Sequence, residues 1–130
     1  MTASSPRMPL GTIGWIDLTA TDATGLRDFY SKVIGWETEP VGVGDYEDFC
    51  VGPSGSAPVA GICHAKGPNV GIPPVWLIYF TVANAEHAAQ EAVKHGGTVV
   101  RPVSTLSGTG RFVVLRDPAG ATFAAFEQHG

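Results

Sequence analysis

DATGLRDFYSKVIGW, residues 22–36, returns in pattern as NAEHAAQEAVKHGG at residues 84–97, and that repeat sets the architecture. Asp22, Gly35, Pro40 and Val41 recur as Asn84, Gly97, Pro102 and Val103, each 62 positions later. A second match, at a shift of 65, carries Pro53 and Gly55 to Pro118 and Gly120. Asp22 and Asn84 stand where helix N-caps belong, since a short polar side chain there accepts from an orphan backbone N–H. Leu26, Phe29, Tyr30 and Val33 follow at helical spacing, as do Ala85, Ala88, Ala89, Ala92 and Val93. Gly35 stops the first helix and Gly96-Gly97 the second, because glycine enters the left-handed conformation without strain.

Working outward, residues 13–20 alternate: Trp15, Asp17 and Thr19 share one face, and Ile16, Leu18 and Ala20 the other. Residues 75–82 do the same, with Leu77, Tyr79 and Thr81 opposed to Ile78, Phe80 and Val82. Residues 36–41, 46–51 and 59–63 read as three further strands of the first half. Residues 98–103, 111–116 and 122–126 read as those of the second, with Gly- and Pro-rich turns between. The reading is an α+β fold of two βαβββ modules, residues 11–65 and 75–128. A Gly- and Pro-rich linker at 66–74 joins them, and a short flexible lead-in at 1–10 precedes a single domain at 11–130. Each helix must cover one sheet face. The helices are expected over Ile16, Leu18, Ile78 and Phe80, which turns Trp15, Asp17, Leu77 and Tyr79 toward a concave surface, the place for a site in a duplicated fold.

Composition narrows the function classes. The chain has 130 residues, 44% hydrophobic and 15% charged, a globular balance that buries roughly two-thirds of the unfolded surface. A net charge of -4 argues against nucleic acid as a partner. No apolar run reaches the about 18 residues of a membrane span, and the start lacks the apolar region of a signal peptide. The expected location is the cytoplasm. Cys50 and Cys63 accordingly read as buried thiols rather than a disulfide.

The same segments carry a family resemblance. Phe29-Tyr30 followed by Ile34-Gly35-Trp36, with Asp117-Pro118-Ala119-Gly120-Ala121-Thr122-Phe123 before the last strand, resembles the signatures of the vicinal oxygen chelate superfamily. That superfamily includes glyoxalase I, bleomycin-resistance proteins and extradiol dioxygenases. The resemblance covers residues 11–127 and implies a cupped, eight-stranded mixed sheet that hosts many chemistries. In metal-dependent members it implies four ligands, from the first and last strands of each module. Those positions fall on Trp15, Leu77 and Ala124, with Val59 placed by the repeat. None of these side chains is a donor for a divalent cation, so no metal and no cofactor are expected.

Other residues could carry chemistry. Asp17 in an apolar cup would titrate high and serve as acid or base; the alternative is an aspartate hydrogen-bonded to neighbouring backbone or to a partner chain. Tyr79, its counterpart, either donates to a ligand carbonyl or packs as a wall. Trp15, Phe49, Phe112 and Phe126 offer aromatic surface beside Leu77 and Ala124, as a mostly apolar site requires; core packing is the alternative for each. Trp76 falls on the helix-covered face. Cys63 and His64 are adjacent on a strand, so they point apart and are poorly placed to activate one another. His87, His95 and His129 read as solvated. Residues 107–110 read as a hairpin loop over the cup, and Arg111 as ion-paired or facing an anionic ligand.

The expected function is metal-free binding of a small organic molecule, a drug or metabolite, by a homodimer that contacts neither nucleic acid nor membrane. Exposed sheet edges favour the dimer. The alternatives are a lyase or isomerase using Asp17 or an atypical metal site, and an accessory protein without a small ligand.

Overall fold

The computed structural model describes residues 7–106 and 108–129. The elements follow the duplicated order: β1 (Ile13–Ala20), α1 (Ala23–Ile34), β2 (Glu37–Val43), β3 (Tyr46–Gly52) and β4 (Ala60–His64), then β5 (Trp76–Val82), α2 (Ala85–Lys94), β6 (Thr98–Leu106), β7 (Gly110–Arg116) and β8 (Thr122–Gln128). The strand order is β2-β3-β4-β1 in the first half and β5-β8-β7-β6 in the second, each a mixed arrangement. β1 with β4 and β5 with β8 are parallel, and the hairpins are antiparallel. The chain gathers into two compact units, one of Trp15–Leu77 and one of Ile78 onward together with the residues up to Gly14.

In the first unit Asp22 Oδ1 accepts from Gly25 N at 2.9 Å. Gly35 closes α1 at φ 86° while its N–H donates to Ser31 O. Ala23 of α1 packs with Phe49, Val51, Ala60 and Ile62, and Ile16, Leu26, Tyr30, Trp36 and Trp76 surround them. Trp76 donates to the Tyr30 hydroxyl at 3.2 Å, so it sits on the helix side, as expected. The buried stripe of α1 is narrower than its spacing suggests. Ala23, Leu26 and Tyr30 face the sheet, whereas Phe29 and Val33 are exposed, because a helix on a flat face makes contact along one line of positions.

In the second unit the stripe of α2 is made of alanines. Ala85, Ala88, Ala89 and Ala92 pack on Val113, Leu115 and Ala125, with Val82, Val103 and Phe123; Val93 is exposed. Asn84 accepts from His87 N at 2.8 Å. Residues just before β1 are tied down. Met8 N donates to Gln128 Oε1 at 2.7 Å, and Gly11 and Thr12 exchange backbone bonds with Thr81.

Strands β2 and β6 are the outer strands of their respective halves. Each carries one member of the Pro40 and Pro102 pair, tolerable where an N–H partner is not required. β6 runs to Leu106, beyond the expected 103, because it shifts register on either side of Arg101 and then resumes pairing. Among the described residues no helix is long and apolar enough to cross a membrane.

Candidate functional site

The sheet faces turned away from the helices carry most of the candidate residues, and strand register orders them. In the first unit Asp17 pairs with Gly61, Gly61 with Cys50, and Cys50 with Glu39, a row across four strands. In the second unit Tyr79 pairs with Ala124, Ala124 with Val114, and Val114 with Arg101. The rows are equivalent place for place. On the same faces Cys63 and Asp48 correspond to Phe126 and Phe112.

This register corrects one expected position. The equivalent of Ala124 is Gly61, not Val59, which precedes β4 and is exposed. The shift of 65 holds at the hairpin turns. The loop at 53–59 is longer than that at 117–121, so the shift shrinks to 63 at the last strand.

Asp17 is anchored. Trp15 Nε1 donates to Asp17 Oδ1 at 2.6 Å, and the carboxylate lies over the α-carbon of Gly61. Alternation puts both side chains opposite Ile16, which packs under α1. Cys50 and Cys63 share this face as free thiols. Burial, then the charges of Asp17 and Asp48, push the Cys63 thiol far above its ordinary range; nearby Cys50 and a hydrogen bond to Asp48 add to this. Burial, then Glu39 and Asp17, also raise Cys50. At both cysteines these causes disfavour the thiolate, the nucleophilic form.

His64 turns to a carboxylate instead of a thiol. Asp48 Oδ1 accepts from His64 N at 2.8 Å and lies 3.4 Å from His64 Nδ1. The imidazole meets the Tyr46 ring edge-on at 5.6 Å. Adjacent Cys63 and His64 thus form no nucleophile–base pair.

Phe49 departs from expectation. It is buried beneath α1, with the Arg27 guanidinium over its ring at 4.7 Å. Its partner across the hairpin is Ile62, a helix-side residue. β3 lacks the clean alternation of β1, so register alone decides its facing.

In the second unit the corresponding face is apolar. Tyr79 is buried, its ring 5.9 Å from that of Phe112. Phe112, Val114 and Ala124 are buried, and Phe126 is half-buried; Leu77, the last residue of the first unit, is buried as well. Arg111 is ion-paired. It donates to Glu86 Oε1 at 2.8 Å and to Glu127 Oε1 at 2.7 Å, and the latter oxygen also accepts from Ala85 N at 2.8 Å. The Arg111 bond first, then Ala85, holds the Glu127 carboxyl below the usual range. His87, His95 and His129 are exposed. Of the Gly-rich run at 107–110, Ser107 lies outside the described residues.

Arg101 and Glu39 went unnoticed in the sequence, although the 62-residue shift relates them. The donor set does not fit a divalent cation. Trp15, Leu77, Ala124 and Gly61 offer no ligand atom on their side chains. Among the described residues no three His, Cys, Asp or Glu side chains gather to hold a metal ion.

Comparison with known proteins follows the same architecture. The sequence profile of the Glyoxalase/Bleomycin resistance protein/Dioxygenase superfamily matches residues 12–125. A putative glyoxylase, CFP32, from Mycobacterium bovis is 29% identical over 121 residues, covering 90% of this chain and 46% of that protein. The anthracycline biosynthesis protein DnrV from Streptomyces peucetius is 30% identical over 137 residues, covering 94% of this chain and 49% of that protein. The chain thus spans about half the length of these relatives. The fold is also similar to methylmalonyl-CoA epimerase from Mycobacterium tuberculosis, at a TM-score of 0.56 and 13% identity, covering 97% of this chain and 94% of that one.

Proposed function

Because the chain belongs to the Glyoxalase/Bleomycin resistance protein/Dioxygenase superfamily, we propose that it binds a small organic molecule, a drug or metabolite, without a metal. The face carrying Trp15 and Asp17 is the anchor. The observation behind this reading is the 2.6 Å bond from the Trp15 indole to the Asp17 carboxylate. It holds a charged acceptor in one orientation beside an aromatic surface, the combination by which apolar sites orient a ligand. A ligand hydroxyl or amine would donate to Asp17 while a planar ring lies against the indole. The name of the relative DnrV makes a polycyclic aromatic compound the first class to try. A homodimer belongs to this reading; sedimentation as a monomer would rule it out.

The same fixed carboxylate favours a second reading, a lyase or isomerase in which Asp17 moves a proton at a ligand carbon. One set of measurements separates the two. Elemental analysis is expected to find no stoichiometric divalent metal. Titration with an anthracycline, read by tryptophan fluorescence, is expected to saturate equally with and without chelator. Asp17→Asn should weaken that binding roughly tenfold, the loss of one charge-assisted hydrogen bond. A stoichiometric metal, or binding abolished by chelator, overturns the metal-free reading. Chemical turnover of the bound compound that Asp17→Asn abolishes selects the enzyme.

A further inference from the structure

Gly61 lies at the centre of the first unit's row, flanked by Asp17 on β1 and Cys50 on β3. Its backbone is ordinary strand, outside the left-handed region that would call for glycine. The reason for glycine is therefore space. A methyl group at position 61 would collide with Asp17 Oδ1 and come within 3.4 Å of Trp15 Nε1. Those atoms are the acceptor and the donor of the anchoring hydrogen bond. The second unit supplies the contrast. Alanine occupies the equivalent place, Ala124, opposite Tyr79, and no carboxylate leans across it from β5.

We propose that Gly61 is a positioning residue: the room left by its missing side chain is the seat of the Asp17 carboxylate, and it sets the direction in which that group and the Trp15 indole meet a ligand. The proposal rests on the reading of Asp17 as the ligand anchor. It adds that the anchor's aim is set from the neighbouring strand. A carboxylate has few staggered positions on a strand, and the one that crosses toward β4 exists only while position 61 is bare.

The test reads the seat without any ligand, so its outcome is independent of whether the face binds an organic molecule. In a ¹H–¹⁵N spectrum of the whole protein, the Trp15 indole N–H is expected to be displaced downfield by its bond to Asp17. Gly61→Ala should move that resonance to the position seen in Asp17→Ala, while the Trp36 and Trp76 indoles stay in place. In the Asp17→Ala background, adding Gly61→Ala should leave the Trp15 resonance and the thermal midpoint nearly unchanged, because the methyl then occupies vacated space. A single variant that fails to fold, with a double variant that folds, also supports the seat. An unmoved indole resonance in Gly61→Ala overturns it. So does a double variant that loses as much stability as the two single changes together, or one that does not fold.

Discussion

Two sheet faces built by one repeated plan differ in what they expose to chemistry. Opposite α1 the sequence sets Asp17, Gly61, Cys50, Asp48 and Cys63; opposite α2 the same places hold Tyr79, Ala124, Val114, Phe112 and Phe126. The second face is buried and mostly apolar, with Arg101 at the β6 end of its row. The first carries carboxylates, thiols and a bare glycine under Asp17. Buried carbon stabilises by transfer and contact, whereas a buried carboxylate must be held by donors to be tolerated. Trp15 donates to Asp17, and the His64 backbone N–H donates to Asp48.

If that division of labour holds, the largest effect comes from the packed copy. Phe112→Ala should lower the unfolding free energy by about 3–5 kcal/mol, and Asp48→Ala, at the equivalent place, by about 1–3 kcal/mol through the orphaned His64 N–H. Urea unfolding of both variants checks this; a reversed order would break the comparison. Next are the helix caps. Asp22→Ala should cost about 1 kcal/mol. Asn84→Ala should cost less, because Glu127 also accepts from Ala85 in the first turn of α2, and thermal unfolding distinguishes them.

A smaller effect is set by pH. The folded Glu127 carboxyl sits below its ordinary value because Arg111 and Ala85 donate to it. Its contribution is therefore complete above the ordinary glutamate range and is lost as pH falls through the lower, folded value. Glu127→Gln should lower the melting midpoint on the order of 2 °C at neutral pH, and the gap to the unmodified chain should close in acid. A gap that persists unchanged at low pH would show that the clamp works by shape and not by charge.

The smallest effect is on thiol chemistry. Asp17→Asn removes a charge that helps keep Cys63 protonated. Its alkylation by iodoacetamide near pH 8 should quicken about two- to fivefold, with the site of labelling read by mass spectrometry. An unchanged rate would mean that burial alone, the larger cause, governs the thiol.

Much of this was legible in the chain. Asp22, Asn84 and Gly35 marked the ends of the helices because caps act through local geometry. The alternation of residues 13–20 and 75–82 located Asp17 and Tyr79 because the strand period is two. Phe49 and Val59 were not legible, for two reasons. The loop at 53–59 is two residues longer than that at 117–121, which moves the equivalent of Ala124 from Val59 to Gly61, and the side that Phe49 faces is set by the pairing of β3 with β4 rather than by alternation. Arg101 escaped because it sits at the bulged part of β6, where no simple alternation survives.

Spacing and residue type alone, along a short stretch of chain, thus specify the duplicated βαβββ plan and the helix limits. It takes the folded chain to show that the Asp17 carboxylate is held by Trp15 over Gly61, and that its counterpart row runs from Tyr79 to Arg101. Cross-strand neighbours are set by register between segments tens of residues apart, and no local period encodes that pairing.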